Sequence, residues 1–575
     1  MNATLVIWHG YLLGATGSNI YTRQLVESWT RAGHDVVLAC QEPYPERYPE
    51  IHDLVRLAHD RVTGGVQVHE RRQIRAVPSG RGRCVMVQPD VHGVLPVYVL
   101  DRYEGFEVVR LVDLDEPRRA AYAADHAAAM QWVIDEFAPA GVLINHASPL
   151  PAALAPVLDG AGVPFAVKVH GSELEYAIRE DPTLAPAATD ALMRAASVLV
   201  GSGHITARTR ELLGAEAAGD RVAVVPPGVD LDRFHPGRDG RAAALRAELA
   251  TVIDAQPGGR DATTTARIAA MVEHVANDPA QAATLVAALA ELHGTYEERL
   301  VEANALARID AVDLDTERLL VFVGKLIPQK GVHLLLAALP EVLRCHPDAR
   351  LVVAGFGPLR DGLDAQLEAM AAGDAAALDA LADHMGALSG EGAAELPELR
   401  GFLDGLRAGG TLDAWLADCV ATQPHERVTW LGLVDHDVLA ELWPLAEVSL
   451  VPSILAEAFG MVAAEAAACG CVPLVADHSG LADAAAVIER GDVAPVRVSF
   501  APPPGEIVPR LASALITRLD LPAAERARQS AAVRSNVAAE WGWDALAAHV
   551  AELMTGAASG DAHTPASTAS AAPAT

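Results

Sequence analysis

Lysine is scarce in this chain of 575 residues. The 44 basic residues include only three lysines, Lys168, Lys325 and Lys330, so arginine carries nearly all of the positive charge. Acidic residues number 75, which gives a formal net charge of −31 at pH 7. Because negative charge on this scale repels a phosphate backbone, we expect no nucleic-acid partner.

Long apolar runs and closely paired cysteines are also missing. No stretch is apolar over the length that a membrane-spanning helix or a secretory leader needs, so we expect a cytoplasmic protein without an integral membrane segment. The six cysteines form no C-x-x-C pair, which indicates neither a zinc site nor a disulfide framework. Residues 555–575 are rich in Ala, Ser, Thr and Pro, and this composition predicts a disordered tail.

Short apolar runs alternate with helical stretches in two parts of the chain. The first set lies at 4–8, 35–40, 141–145, 164–169, 197–200 and 221–225. The second set lies at 319–323, 350–354, 427–431, 447–451, 471–475 and about 486–489. Such alternation predicts parallel, doubly wound sheets, and the chain is too long for one core. We therefore expect an α/β protein with two Rossmann-like domains.

Two stretches depart from this alternation. Residues 238–315 and about 363–425 place apolar side chains at helical spacing instead, and both are predicted to be helical insertions. Their role is left open between an oligomer interface, a lid and surface decoration, with decoration favoured. The predicted boundaries are then 1–236 for an N-terminal domain and 316–554 for a C-terminal domain.

The segment EAFGMVAAE, bounded by Glu457 and Glu465, carries the strongest functional signal. It follows the apolar run Val448–Val451, and we expect a strand, a loop and then a helix from Gly460 to Ala468. A helix N-terminus favours phosphate, whereas two carboxylates repel it. This conflict disappears if the carboxylates accept hydrogen bonds from hydroxyl groups on either side of the anion. A nucleotide sugar, with sugar, diphosphate and ribose in series, is such a ligand.

Two of the three lysines occur together after a predicted strand. The run Leu319–Val323 leads through Gly324 into a loop that holds Lys325 and Lys330, and a helix is predicted from Gly331. Cations at the carboxyl end of a parallel strand suit a diphosphate whose charge must be neutralised as it leaves. The alternative is a pair of solvated loop lysines.

Two further strand ends carry candidate ligand contacts. His170 follows the predicted strand Phe165–Val169 and precedes a glycine, although a lone histidine is usually structural. A glycine-rich turn with Gly14 and Gly17 joins the first strand to the first helix, which by itself is a weak signal. The G-x-G-x-x-G pattern of dinucleotide-binding domains is absent from this turn.

These segments resemble one family. Residues 437–476, DVLAELWPLAEVSLVPSILAEAFGMVAAEAAACGCVPLVA, are similar to the donor-binding core of the retaining nucleotide-sugar glycosyltransferases of family 4, also called group 1. His-Gly-Ser-Glu at 170–173 and PPGVDLDRFHP at 226–236 resemble two further segments of that family. The resemblance covers roughly residues 1–236 and 316–550. It implies the GT-B fold, in which two Rossmann-like domains enclose a cleft.

The resemblance also implies roles for individual residues. Glu457 would contact the donor sugar and Glu465 the ribose, while Lys325 stands where the family usually has arginine, next to the family's Lys330. His170 would lie beside the sugar, and Gly14 and Gly17 would approach the donor phosphate and the acceptor. Peptide groups that would hold the diphosphate belong to Phe459, Gly460, Met461 and Val462, with Gly324 at the lysine loop.

The implied activity is transfer of a sugar from a nucleoside diphosphate to an acceptor hydroxyl on a small molecule or glycan. Retention in this family is usually explained by attack on the front face of the sugar. No protein nucleophile is therefore expected. Lys325, Lys330 and the helix N-terminus supply positive charge, so no metal is expected, nor is a cofactor. Lys325, Lys330, Glu457 and His170 are the catalytic candidates. A nucleotide-sugar epimerase and a non-catalytic nucleotide-sugar binder remain as alternatives.

A cluster of arginines stands out against the acidic background. Arg71, Arg72 and Arg75 lie close together in the N-terminal part, with Arg81 and Arg83 just beyond. Guanidinium groups pair bidentately with phosphate or carboxylate, so the cluster is a candidate site for an anionic acceptor. The alternative is an exposed loop or hairpin without a ligand.

Overall fold

A computed structural model describes residues 3–14, 17–99, 103, 105–214, 219–237, 239–256, 258–278, 281–293, 295–390 and 393–556. The chain forms two compact units, Met1–Gly228 with Trp543–Thr575, and Val229–Gly542. The tail predicted to be disordered lies outside the described residues from position 557 onward. Both units are built on a mainly parallel sheet, as the alternation of apolar runs predicts.

The N-terminal unit contains a nine-stranded sheet with the order β11-β10-β9-β8-β1-β2-β5-β3-β4, in which only β4 is antiparallel to its neighbour. The strands of this sheet and the separate pair β6 and β7 are β1 Thr4–Trp8, β2 Asp35–Ala39, β3 Asp53–Asp60, β4 Gly65–Gln73, β5 Cys84–Gln88, β6 Val94–Val97, β7 Glu107–Arg110, β8 Gly141–Asn145, β9 Phe165–Val169, β10 Ser197–Val200 and β11 Val222–Val224. The sequence patterns predicted β1, β2 and β8 to β11 but missed β3 to β7.

The helices of this unit connect the parallel strands. They span Gly17–Arg31, Glu116–Phe137, Leu150–Ala161, Ala185–Arg194, Gly203–Leu213 and Trp543–Thr555. The last of them returns to the N-terminal sheet, where the Trp29 indole Nε1 donates a hydrogen bond to the Ala547 carbonyl at 2.8 Å. A Cβ atom at Gly228 would lie 2.6 Å from the Trp543 ring, so only glycine permits this close approach. This helix therefore belongs to the first unit, whereas the predicted boundary placed residues up to 554 in the second.

The second unit contains a six-stranded parallel sheet with the order β14-β13-β12-β15-β16-β17. Its strands are β12 Arg318–Val323, β13 Ala349–Ala354, β14 Val428–Gly432, β15 Ala446–Val451, β16 Val472–Ala476 and β17 Arg497–Val498. Both faces of the sheet are covered, because Leu320 and Phe322 of β12 pack into one apolar core while Leu319 and Val321 pack into another. Burial on both faces explains why these strands read as continuous apolar runs.

Helices surround this second sheet. They span Arg241–Ala255, Ala262–Asn277, Ala282–His293, Ala305–Asp310, Val332–Cys345, Arg360–Ala372, Ala375–His384, Pro397–Ala408, Leu412–Thr422, His436–Leu442, Met461–Ala468, Ser479–Ile488, Ile507–Leu519 and Ala523–Glu540. Both predicted insertions are helical, but they are not surface decoration. Ile268 and Leu289 of the first and Leu378 of the second are buried in the same apolar core as β12.

The predicted strand at about 486–489 is wrong. These residues fall at the end of the helix Ser479–Ile488, and the sixth strand is the two-residue β17 that pairs with Val475 and Ala476 of β16. The buried side chains of this helix are Leu481, Ala484, Ala485 and Ile488. Their spacing of three and four residues is that of one helical face, which the alanine-rich run obscured.

Candidate functional site

The loops that follow β12 and β15 are held against each other at the carboxyl edge of the second sheet. The Ile454 N–H donates to the Gln329 carbonyl at 2.8 Å. Gly331 adopts a left-handed φ of 70°, and a Cβ atom there would lie 2.2 Å from the Pro452 carbonyl oxygen. A side chain at position 331 would therefore push the two loops apart, and this contact fixes the lysine loop beside the glutamate loop.

Lys330 and Glu457 form an ion pair across these loops. The Lys330 ammonium contacts the Glu457 carboxylate directly, and the Ser453 hydroxyl donates to the same carboxylate oxygen at 2.5 Å. Burial opposes ionisation of Glu457, but Lys330, Ser453 and His478 outweigh it and hold the pKa of the carboxyl below its usual value. The carboxylate is therefore charged at neutral pH and compensated by Lys330.

A third loop, after β16, fixes the backbone around Glu457. The Glu457 N–H donates to the Ser479 hydroxyl at 2.9 Å, and the Gly480 N–H donates to the Glu457 carbonyl at 2.9 Å. A Cβ atom at Gly480 would lie 2.3 Å from the Ala458 carbonyl oxygen, so the two loops touch at the backbone. His478 Nε2 also forms a hydrogen bond with the Ser453 carbonyl at 2.9 Å, which connects the loop after β16 to the loop after β15.

The helix predicted after Glu457 is present as Met461–Ala468. Gly460 caps it with a left-handed φ of 113°, and a Cβ atom there would lie 2.6 Å from the Leu481 side chain. Phe459 is buried against Trp541, with ring centroids 4.9 Å apart, while Met461 and Val462 are half-buried. The first N–H groups of an α-helix have no carbonyl partner within the helix, and this helix begins four residues after Glu457, an arrangement that favours an anion.

Glu465 has a different partner from Glu457. Its buried carboxylate lies 3.4 Å from Nε2 of His436, the first residue of the helix His436–Leu442. The two glutamates thus belong to one segment but interact with separate neighbours. Sequence reasoning did not identify His436, although its position at a helix start shortly after β14 was a usable signal.

Lys325 is exposed at the end of β12, directly after Gly324. Its ammonium makes no ion pair with a carboxylate in the described part of the chain. Desolvation, followed by the nearby cations Arg299 and Lys330, lowers the pKa of Lys325. A Cβ atom at Gly355 would lie 2.1 Å from the Gly324 carbonyl oxygen, so the loops after β12 and β13 also meet.

His170 belongs to a buried polar cluster at the carboxyl ends of β1, β8 and β9 in the N-terminal unit. Its Nε2 lies 2.9 Å from the Asn145 Oδ1 atom, and Asn145 Nδ2 lies 3.1 Å from Nδ1 of His9. Burial, and then His146, Lys168 and His9, hold the pKa of His170 well below its ordinary value. Burial also lowers the pKa of His9 to about 3. Both rings are therefore neutral at physiological pH and suited to hydrogen bonds with hydroxyl groups.

Two members of this cluster, His146 and Glu173, were not predicted as site residues from the sequence. The His146 and His170 rings are tilted relative to each other with centroids 4.7 Å apart, and His146 has an unusual left-handed φ of 69°. Glu173 accepts the backbone N–H groups of His170 at 2.9 Å and Ala147 at 3.1 Å, and its carboxylate lies 3.3 Å from His146 Nδ1. Because His146 follows β8 directly, the strand-end rule that identified His170 would have identified it as well.

Lys168 is buried in β9 beneath this cluster. Its ammonium donates to the Val225 carbonyl at 2.6 Å and lies 4.9 Å from the centre of the Tyr21 ring. Burial lowers the pKa of Lys168 to about 7, although Glu173 acts in the opposite direction. An unfolded lysine keeps its proton to about pH 10.4. Between these two values the unfolded chain therefore holds a proton that the folded chain lacks.

We accordingly expect the free energy of unfolding to rise with pH between about 7 and 10, by at most about 1.4 kcal/mol per pH unit from this residue. Below about pH 7 both states are protonated and this contribution is constant. In the Lys168→Met variant this rise in the free energy of unfolding with pH should be absent. Urea unfolding of both proteins at intervals across this range measures the difference, and parallel curves would contradict the assignment.

Gly14 and Gly17 flank the turn before the first helix. Gly14 is exposed, its carbonyl accepts a hydrogen bond from the Asn19 side chain, and Gly17 is the first residue of the helix. Asn19 also bonds to His9 Nε2 at 2.8 Å, which ties the turn to the histidine cluster. Through Asn19, His9 and Asn145, the structure connects Gly14 to the cluster that contains His170.

The arginine cluster lies elsewhere. Arg71 and Arg72 lie near the end of β4, opposite Asp53 to Val55 at the start of β3, and hence at the amino edge of the parallel strands. The histidine cluster lies at the carboxyl edge. Arg71 pairs with Glu136 at 2.7 Å, Arg72 pairs with Glu70 at 2.9 Å, and Arg75 donates to a backbone carbonyl. These contacts match the hairpin alternative, and an acceptor role for the cluster stays a prediction that the geometry does not favour.

Among the described residues one group, His59, His92 and Asp125, brings together enough ligand atoms for a metal. Both Asp125 oxygens are already engaged by Arg61, whose positive charge opposes a cation there. This group belongs to the N-terminal unit. In the same described part of the chain, every helix is too short or too polar to cross a membrane.

Two family models match the chain. Residues 16–228 match the glycosyl transferase 4-like domain, and residues 308–376 and 416–499 match the glycosyl transferases group 1 domain. The chain therefore belongs to the glycosyltransferases of GT-B fold. The matched ranges leave out residues 229–307 and 377–415, which include most of the first predicted insertion and part of the second.

Individual proteins are similar over part of the chain. A glycogen synthase of Mycobacterium tuberculosis is 28% identical over 42% of this chain and 43% of its own length. A GDP-mannose-dependent monoacylated alpha-(1-6)-phosphatidylinositol monomannoside mannosyltransferase of Corynebacterium glutamicum is 24% identical over 42% and 48%. The chain thus spans less than half the length of these curated relatives.

The fold is confirmed by a solved structure. The catalytic domain of starch synthase IV from Arabidopsis thaliana, bound to ADP and acarbose, superposes with a TM-score of 0.52. The match covers 96% of this chain and 99% of that domain, at 13% identity. Identity at this level shows the shared GT-B fold alone.

Proposed function

We propose that the protein is a retaining glycosyltransferase that moves a sugar from a nucleoside diphosphate to an acceptor hydroxyl. The single observation that supports this most is the ion pair between Lys330 and Glu457 beside the capped start of the helix Met461–Ala468. Cations and free N–H groups suit a diphosphate, and the carboxylate suits the hydroxyl groups of the attached sugar. The curated relatives, one of them named as GDP-mannose-dependent, support a nucleotide sugar as the donor.

In this proposal the C1–O bond to the diphosphate breaks while the acceptor oxygen attacks the same face of the sugar. The acceptor proton leaves with the diphosphate, so no protein nucleophile is required. Lys325, Lys330 and the helix N-terminus offset the charge that develops on the leaving group. The neutral imidazole of His170 offers a hydrogen bond to a substrate hydroxyl.

The test begins with thermal-shift measurements against UDP-, GDP- and ADP-sugars. The donor that stabilises the protein is then incubated with a panel of sugar, polyol and lipid-linked acceptors, and NMR determines the anomeric configuration of the product. We expect transfer with retained configuration. Inverted product would contradict the retaining mechanism. Conversion of the donor without any acceptor would indicate an epimerase, and binding without turnover would indicate a binding protein.

A further inference from the structure

A line of hydrogen bonds connects the turn at Gly14 to His170 through the interior of the N-terminal unit. Its first members are the buried side chains of Asn19 and His9. The Asn19 amide nitrogen donates to the Gly14 carbonyl, and Asn19 Oδ1 lies 2.8 Å from His9 Nε2. The same Nε2 lies 3.0 Å from the Leu12 carbonyl oxygen, which can only accept. This nitrogen of His9 therefore carries the ring proton.

The direction of the next bond follows from the proton on His9. Burial lowers the pKa of His9 to about 3, so the ring is neutral and Nδ1 can only accept. Asn145 Nδ2 lies 3.1 Å from this Nδ1 and 2.8 Å from the Thr22 hydroxyl oxygen. The Thr22 hydroxyl donates to the Ser18 carbonyl at 2.8 Å, so its oxygen accepts from Asn145. The buried amide of Asn145 is thus oriented with its nitrogen toward His9 and its oxygen toward His170.

The oxygen of Asn145 determines which nitrogen of His170 is protonated. Asn145 Oδ1 lies 2.9 Å from His170 Nε2 and has no proton to donate, so Nε2 must carry one. Burial is the main reason that the pKa of His170 lies well below its ordinary value, so the ring holds only that proton. Nδ1 is then an acceptor, and it makes no hydrogen bond within the part of the chain that the structure describes.

Neighbouring groups hold the backbone and the ring of His170 in place. Its backbone N–H donates to the Glu173 carboxylate at 2.9 Å. The Tyr21 ring meets the imidazole edge to face with centroids 5.6 Å apart, and the His146 ring lies 4.7 Å away. Since these contacts fix where the ring lies, the bond to Asn145 is left to decide where its proton lies.

We propose that Asn145 is a positioning residue that keeps the proton of His170 on Nε2, so that Nδ1 accepts a hydrogen bond from a hydroxyl group of the substrate. This assignment rests on the proposed sugar transfer and deepens it, because it specifies the atom that meets the substrate and the kind of group it meets. An unprotonated ring nitrogen repels the oxygens of an ionised phosphate or carboxylate, which have no proton to give. The group at Nδ1 is therefore a hydroxyl of the sugar or of the acceptor, and not the diphosphate.

The first experiment determines the tautomer by NMR of the full chain labelled with ¹⁵N-histidine. The loss of signals in His170→Gln identifies those of His170. We expect a proton on Nε2 and none on Nδ1 in the unaltered protein. Asn145→Ala should show a mixture of both tautomers, whereas Asn145→Asp, whose carboxylate also accepts, should keep a proton on Nε2. Gln41→Ala, which removes another buried amide beyond the carboxyl end of β2, is the matched control and should leave the tautomer unchanged.

Kinetics measure what the tautomer does for the reaction. Asn145→Ala should lower kcat/KM about 3- to 10-fold, the effect of one neutral hydrogen bond. Asn145→Asp should retain more activity than Asn145→Ala, and Gln41→Ala should retain all of it. Binding of the nucleoside diphosphate, which lacks the sugar, should not change in any of these variants. A rise in donor KM assigns the hydroxyl to the sugar, and a rise in acceptor KM assigns it to the acceptor.

The outcomes separate the role of Asn145 from the proposed function. A proton on Nδ1 in the unaltered protein would overturn the proposal, as would an unchanged tautomer in Asn145→Ala. If the tautomer changes as expected but the unaltered protein transfers no sugar, the proposed function fails while Asn145 still orients the proton of His170. Thermal unfolding verifies that each variant is folded, and Asn145→Leu, of similar size without a polar atom, replaces the alanine variant if that variant does not fold.

Discussion

Replacing Lys330 with alanine is expected to lower kcat/KM by about 10- to 150-fold, equivalent to about 1.5–3 kcal/mol of transition-state stabilisation. The change has two physical consequences. It removes a cation that offsets charge on the leaving diphosphate, and it leaves Glu457 without its ion-pair partner. The pKa of Glu457 is held below its usual value partly by Lys330, so some carboxylate would remain charged and repel the phosphate.

The design that checks this result is a double-mutant cycle. Lys330→Ala, Glu457→Gln and the double variant are compared for kcat/KM and for binding of the nucleoside diphosphate. We expect Glu457→Gln to offset part of the binding loss caused by Lys330→Ala, because it removes the unpaired charge. Lys330→Arg keeps the charge and should retain part of the activity, and thermal unfolding verifies that each variant is folded. Activity of Lys330→Ala at the unaltered level would exclude this lysine from the mechanism.

The donor loops were predictable because several local rules agreed there. β15, the following loop and the helix Met461–Ala468 match the expected strand, loop and helix to within two residues. A strand buried on both faces gives an apolar run, and a glycine before an alanine-rich segment indicates a helix start. The same agreement located Lys325 and Lys330 after β12. The apolar run, the glycine before the helix and the lysines after the strand are each features of a short segment, so they can be recognised in the sequence without knowledge of the fold.

The partners of those residues could not be predicted in the same way. Lys330 and Glu457 are 127 positions apart, and nothing in either segment specifies that their charges meet. Helical spacing identified apolar faces in the first insertion, but not the core into which Ile268 and Leu289 pack. Likewise a dense run of arginines does not reveal that Arg71 and Arg72 already have carboxylate partners. Long-range packing decides each of these points.

The helical insertion changes how the family resemblance should be used. The match to the glycosyl transferases group 1 domain covers residues 308–376 and 416–499. Segment 296–302 lies outside these ranges and is nevertheless bridged to β14. Residues outside the matched domain therefore lie at the same sheet edge as residues within it.

Glu457 and Glu465 should give opposite results in nucleotide binding. The carboxylate of Glu465 lies near His436, and the family resemblance assigns it to the ribose hydroxyls. Glu465→Ala should therefore weaken binding of the nucleoside diphosphate about 10-fold or more, and raise the donor KM in proportion. Glu457→Gln should bind the nucleoside diphosphate at least as tightly as the unaltered protein, because the change releases Lys330 to the phosphate.

Turnover completes the distinction between the two glutamates. Glu457→Gln should lower kcat by about 100-fold or more, since a neutral amide accepts the hydrogen bonds of the donor sugar less strongly than a carboxylate. Calorimetry with the nucleoside diphosphate and steady-state kinetics with the donor measure the two effects separately. Glu540→Gln, which removes a surface partner of Arg490, is the control for loss of one carboxylate and should alter neither. Equal losses of nucleotide affinity at positions 457 and 465 would show that the two carboxylates bind the same part of the donor.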